Sequence, residues 1–174
     1  MFKESGPVEW MQFSLLGLSA AVCLRMAGRR NSQARIFPIV AAGILVIAMV
    51  RECDSLLKHY LPVLSWKFPI FCLSVGVLLI IFYKRHVFFD ELVAHILTPF
   101  FSLMWAGFAV VVFGQMIGHG DFLEPVLCSH YTRAFKRILE ECFELIGYFL
   151  IFVGSIEFWW EAELKQGGFD KHID

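Results

Sequence analysis

The side chains in this sequence that could do chemistry are carboxylates and a histidine at the ends of apolar segments. In "RILEECFELIGYFLIFVGSIEFWW", residues 137–160, glutamates stand at the start of a run otherwise suited to hydrocarbon. A second group, "RECDSLLKHY", follows an apolar segment that ends near Val50. Ionisable groups at membrane depth are candidates for function because burying them is unfavourable unless they are paired. We therefore define a candidate charge cluster of Arg51, Glu52, His59, Glu140 and Glu144.

Glu144 is the most unusual member of the charge cluster. At about 100° per residue it shares a helical face with Glu140, Gly147 and Gly154. Small residues let membrane helices approach closely, so the glycine face is expected to pack against a neighbouring helix. We therefore predict that Glu144 points into the bundle.

A buried Glu144 needs a partner from another part of the chain. Lys136 and Arg137 each precede a glutamate by four residues and can pair with it locally, but no cation lies three or four residues from Glu144. We predict an ion pair with Arg51, with Lys67 as the second candidate, because a guanidinium can hold a carboxylate with two hydrogen bonds. The alternative is that these charges only mark the membrane boundary.

Other site chemistries lack support in the sequence. Carboxylate and imidazole ligands suit zinc or iron, but the Glu-x-x-His pairs of di-iron bundles and the "HExxH" of metalloproteases do not occur. There is no phosphate-binding loop, nucleophile elbow or basic and aromatic surface for nucleic acid. We therefore expect no metal, no cofactor and no nucleic-acid partner. No catalytic residue can be assigned, and enzymatic activity is not expected.

The elements that position these residues are long apolar segments. Apolar residues make up 58% of the 174 residues and charged residues 18%, which is typical of a chain in lipid rather than a soluble domain. A membrane-spanning helix needs roughly 20 mainly apolar residues. We predict an all-α, polytopic integral membrane protein with a single domain over residues 1–174. The five expected spans are residues 8–26, 36–50, 68–83, 96–117 and 142–160.

Three features of this bundle are less regular. The main alternative is four spans, with the short second or third segment re-entrant or lying in the interface. The segment "SHYTRAFKRILEECFEL" predicts that the last helix begins well before the fifth span and extends outside the bilayer. The segment at residues 82–95 mixes aromatic and charged residues, which favours a short amphipathic turn along the cytoplasmic surface.

The loop "RMAGRRNSQAR" between the first two spans holds four arginines and no acid. By the positive-inside rule this loop is expected to be cytoplasmic. The N-terminus is then outside and the C-terminus cytoplasmic, and the expected location is a bacterial inner membrane. If the outer side is oxidising, Cys53 could form a disulfide with Cys128 or Cys142; free, packed thiols are the alternative.

Three functions fit this description. The first is an accessory or assembly subunit that acts through contacts with lipid and with another membrane protein or a second copy of itself. The second is a small transporter or channel that uses Glu144 and the neighbouring charges. The third is a membrane-embedded enzyme acting on lipid through carboxylates and histidines on the outer side.

Overall fold

The computed structural model describes residues 6–29, 35–52, 67–118 and 132–167 of the chain. All the regular secondary structure in these residues is α-helical. The six helices are α1 (Pro7–Ala27), α2 (Ile36–Glu52), α3 (Lys67–Tyr83), α4 (Arg85–His95), α5 (Pro99–Gly118) and α6 (Arg133–Gly167).

Five of these helices alternate in direction, and α4 lies at the turn between α3 and α5. Gly17 of α1 faces Met49, near the end of α2. Met26, near the end of α1, packs in one cluster with Phe37, at the start of α2. The helices α1 and α2 are therefore antiparallel. The last helix runs parallel to α1. The bundle therefore has two ends, which we name the Glu144 end (Arg51, Gln115, Glu144) and the Arg29 end (Arg29, Phe37, Phe100, Glu163).

In the described ranges, three helices are long and apolar enough to cross a membrane, over Pro7–Ala27, Pro99–Ile117 and Phe135–Leu164. The number rises to four if α3 and α4, which are bent by 90°, count as one broken span. The predicted count of five is therefore not confirmed. The second and third predicted spans form α2 and α3, but each has 17 residues, fewer than the roughly 20 that cross a bilayer directly.

The last helix is as long as the sequence predicted. It has 35 residues, which corresponds to about 52 Å of continuous helix. The fourth predicted span begins later than expected, at Pro99 instead of residue 96. His95 ends α4 and Thr98 donates its backbone N–H to the His95 carbonyl at 2.9 Å, so a turn separates α4 from α5. Proline favours the first turn of a helix, where its missing N–H has no cost.

The closest helix pair is α5 and α6, and glycines make the approach possible. A Cβ at Gly107 would lie 2.6 Å from the carbonyl oxygen of Gly147, a distance that would force the backbones apart. A Cβ at Gly114 would lie 2.7 Å from the Cβ of Phe143, and one at Gly154 would lie 3.0 Å from the carbonyl oxygen of Phe100. The predicted packing role of Gly147 and Gly154 is confirmed, and Gly107 and Gly114 are glycines of α5 at the same interface.

Two apolar cores stabilise the bundle. The central core joins α1, α2 and α6 through small and aliphatic side chains: Leu16, Ala20, Cys23, Ala41, Ala42, Leu45, Tyr148 and Ile151. The second core lies at the Arg29 end and is aromatic: Met26, Phe37, Phe100, Phe101 and Phe158. In contrast, α3 buries none of its residues and packs along one side against α2.

Candidate functional site

Arg51 and Glu144 form an ion pair between α2 and α6 at the Glu144 end. The Arg51 Nη2 donates to the Glu144 Oε1 at 2.8 Å, and the Glu144 side chain is only 8% exposed. The same nitrogen donates to the Glu52 Oε1 at 2.9 Å. One guanidinium therefore holds two carboxylates, one from its own helix and one from α6. The pair of Arg51 and Glu144 was predicted because no cation lies three or four residues from Glu144 in its own helix.

Two uncharged side chains complete this network. The amide Nε2 of Gln115, in the last turn of α5, donates to the Glu144 Oε1. The hydroxyl of Tyr148, one turn after Glu144 on α6, donates to the Glu52 Oε1 at 2.8 Å. The polar network of Arg51, Glu52, Gln115, Glu144 and Tyr148 thus links α2, α5 and α6.

The local sequence explains why Gln115 reaches Glu144. Gly114 lies against Phe143, and its missing side chain lets the end of α5 approach α6. The neighbouring positions, Gln115 and Glu144, are then brought within hydrogen-bonding reach. Sequence reasoning missed Gln115, although an amide in the run "AVVVFGQMIG" was a usable signal because a polar group in an apolar helix needs a partner.

Three members of the predicted charge cluster come together, namely Arg51, Glu52 and Glu144. Glu140 lies one turn before Glu144 on α6 and is partly exposed. His59 lies outside the described residues, as do Cys53 and Cys128 of the proposed disulfides. Cys142, the remaining candidate for a disulfide, carries a free thiol, as do Cys23 and Cys72.

The electrostatics of the polar network are unbalanced. Among the described residues, the network holds two carboxylates and one guanidinium, and all three groups are partly removed from water. Hydrogen bonds from Gln115 and Tyr148 stabilise the carboxylates without adding charge. Such a network can fix the positions of three helices, and it can also hold a proton or a cation. Within the described ranges, no group of three or more His, Cys, Asp or Glu side chains could hold a metal ion.

A second side-chain amide, which is buried, joins α1 to the same part of α6. Gln12 is 1% exposed, and its Nε2 donates to the backbone carbonyl of Glu141 at 3.4 Å. Further along, Ser19 and Ser155 donate their hydroxyls to carbonyls of their own helices, at 2.7 and 2.9 Å. These small, internally satisfied side chains let α1 pack closely on α6.

Glu91 has a structural role that the sequence did not predict. It lies on α4, is 8% exposed, and accepts hydrogen bonds from the backbone N–H groups of Arg35, Ile36 and Phe37 at 2.9, 3.3 and 2.6 Å. The first N–H groups of a helix have no hydrogen-bond partners within it. The partial positive charge at this end of the helix dipole attracts a carboxylate. Glu91 therefore caps α2 from another helix.

An ion pair also closes the Arg29 end. Arg29, just after α1, donates its Nη2 to the Glu163 carboxylate near the end of α6. The pair joins the same two helices that Gln12 joins at the opposite end. The α1 and α6 interface is therefore joined by an amide hydrogen bond at one end and by an ion pair at the other, and the packed serines lie between them.

Comparison of the chain with protein-family models, with curated proteins and with solved structures finds no match. The polar network must therefore be interpreted from its own geometry. Its donors and acceptors are directed at one another across three helices, and the carboxylate at its centre is buried.

Proposed function

We propose that this chain is a multi-span membrane protein that acts as an accessory or assembly subunit, through contacts between its apolar helices and another membrane protein or a second copy of itself. The observation that carries the proposal is the exposure of α3. This helix of 17 residues is almost entirely apolar, yet it buries none of them within the chain. A helix of this composition needs lipid or protein around it.

The contacts of α3 show which surface is free. Val77 faces Gly43 of α2, so this side of α3 is occupied. On the opposite side Phe71, Leu78 and Phe82 are 66%, 64% and 69% exposed. The polar network, in contrast, directs its hydrogen bonds inward, which supports a structural role for the charges and an interaction role for the apolar surface.

The proposal includes five crossings, with the Arg29 end in the cytoplasm. The alternating directions of α1, α2, α3, α5 and α6 support an odd number of crossings, and the basic first loop supports the orientation. Single cysteines introduced at positions 30 and 170 test both points. We expect an impermeant thiol reagent to label them from the same, cytoplasmic side; labelling from opposite sides would refute five crossings.

The subunit role is tested by photo-crosslinking in the native membrane and purification in mild detergent. We expect a photoreactive residue in place of Leu78, on the free side of α3, to give one protein adduct, and the same protein to copurify in fixed stoichiometry. The same substitution at Val77, which faces α2, serves as the matched control. If position 78 reacts with lipid alone and the chain purifies as a monomer, the subunit role is wrong.

A second candidate, a transporter for protons or cations, is favoured by one observation. The polar network carries two carboxylates for one guanidinium, and an excess negative charge inside an apolar bundle attracts a cation. Under this alternative, Glu144→Gln should leave the fold intact and abolish ion flux into vesicles that contain the purified protein. If the wild-type protein shows no flux above that of empty vesicles, the transporter candidate fails.

A further inference from the structure

We propose that α4 is an interfacial helix, and that an outward stripe made of Phe89 and Val93 on α4 and Leu97 in the turn after it inserts among the acyl chains of the membrane leaflet at the Arg29 end. This inference rests on the proposed membrane location and adds a lipid-binding surface to it. Phe89 is 56% exposed, Val93 68% and Leu97 93%, so all three lack cover within the described part of the chain.

The direction of α4 places it across the bundle instead of along it. The axis turns by 90° between α3 and α4. With 11 residues, α4 is about 16 Å long, too short to cross a hydrocarbon core of about 30 Å. A helix that follows a spanning segment at a right angle runs parallel to the membrane plane.

The opposite side of α4 is anchored to the protein. Glu91 caps α2, and Phe88 and Leu92 pack against the aromatic core of the Arg29 end. These contacts fix the rotation of α4 about its own axis. At about 100° per residue, Val93 lies roughly 160° from Glu91, so the outward stripe is held facing away from the bundle.

The outward stripe is continuous with surfaces that also need lipid. Phe82 and Tyr83, at the end of α3, are 69% and 80% exposed. Lys84 and Arg85 follow at the bend and are exposed as well. Cationic side chains beside exposed aromatic residues match the interface of a phospholipid layer, where phosphates lie next to the acyl chains. This arrangement favours phospholipid over a second protein as the occupant.

The test compares spin labels at five positions of the full chain in vesicles of phosphatidylcholine and phosphatidylglycerol. Each label is attached to one introduced cysteine in a variant whose five native cysteines are alanine, and circular dichroism checks that the variant is folded. Collisions with oxygen report contact with acyl chains, and collisions with a nickel chelate report contact with water. The stripe is probed by Phe89→Cys, Val93→Cys and Leu97→Cys.

Two further positions serve as references. Val87→Cys, which is exposed and lies about 160° from Phe89 around α4, reports the side turned away from the stripe, and Leu78→Cys reports the exposed side of α3. We expect the three stripe labels to collide several-fold more often with oxygen than with the nickel chelate, and the label at 87 to show the reverse. If all three stripe labels collide with the nickel chelate, or are protected from both reagents, the inference is overturned. If the label at 78 still collides with oxygen in that experiment, the membrane proposal stands. Nickel access at 78 would instead overturn the membrane proposal itself.

Discussion

The two ends of the bundle hold the helices together by different means. At the Glu144 end, Arg51 joins two carboxylates and side-chain hydrogen bonds from Gln115 and Tyr148 complete the contact. At the Arg29 end, aromatic rings pack around Phe100, which has no exposed surface, and Glu91 caps the backbone of α2. The Glu144 end is held by ion pairs and hydrogen bonds between side chains. The Arg29 end is held by the packing of aromatic rings and by hydrogen bonds from backbone N–H groups to Glu91.

This difference has consequences for stability. Aromatic packing tolerates little loss of volume, since the surrounding rings cannot fill a cavity as large as a phenyl group. The polar network is redundant, because Arg51 keeps one carboxylate when the other is lost. We therefore expect single substitutions to cost more at the Arg29 end than at the Glu144 end.

The largest effect should come from Phe100→Ala. Its ring stacks on Phe158 with centroids 4.5 Å apart and lies 6.3 Å from the ring of Phe37. Removing it leaves a cavity and should lower the free energy of unfolding by about 4 kcal/mol. Thermal unfolding in detergent, followed by circular dichroism, measures the loss. The control is Phe108→Ala on the exposed side of the same helix; an equal loss there would show that the aromatic core has no special role.

The next largest effect should come from Glu91→Ala. The substitution removes the acceptor of three backbone N–H groups at the start of α2, and it should cost about 3 kcal/mol because all three lose their partner and the one of Phe37 is buried. Asp90→Ala, at the exposed neighbouring position, is expected to change stability by less than about 0.5 kcal/mol. Hydrogen exchange of the Phe37 amide gives a direct measurement. Unchanged protection of that amide in Glu91→Ala would contradict the capping role.

A smaller loss, about 2 kcal/mol, is expected for Glu144→Gln. Breaking a buried ion pair costs roughly 3–5 kcal/mol, but here Arg51 keeps its contact with Glu52 and is partly exposed. The double variant Arg51→Met with Glu144→Gln should recover part of the loss, since no unpaired cation is left near the apolar region. Strictly additive losses in the double-mutant cycle would show that the two side chains do not stabilise each other.

The smallest effect should come from Tyr148→Phe. The ring remains in the central core, and only the hydrogen bond to Glu52 is lost. We expect a loss of about 1 kcal/mol. The loss should become smaller in the background of Glu52→Gln, where the acceptor is uncharged. If the loss keeps its size in that background, the hydroxyl acts through another group.

Much of this arrangement could be predicted from local spacing. Glu144 shares its helical face with Gly147, and it was therefore expected to point inward and to need a cation from elsewhere. Arg51 lies in the last turn of an apolar segment, where it can reach the same depth. Both statements depend on periodicity within one helix and on the unfavourable burial of a lone charge, which are properties of short sequence segments.

The missed residues depend on contacts that no short segment contains. Glu91 lies in "FFDELVAH", where nothing distinguishes it from the exposed Asp90 beside it. Its role arises because α4 turns by 90° and meets the start of α2, more than fifty positions earlier in the chain. The predicted count of five spans stays unconfirmed for a related reason, because hydropathy counts α2 and α3 as crossings although each has 17 residues.

The parallel packing of α1 on α6 constrains how the protein is made. Gln12 and Glu141 are 129 positions apart, so α1 leaves the ribosome long before its partner exists. Until α6 is synthesised, α1 can pack against α2, but the amide of Gln12 lacks the Glu141 carbonyl to which it donates. The α5 and α6 pair, being adjacent in the chain, can form as a unit, whereas the α6-facing side of α1 is covered only once that pair is present. Biogenesis of this bundle is therefore completed by its last helix, and a nascent chain halted before α6 would keep one side of its first helix open to insertion factors and to degradation.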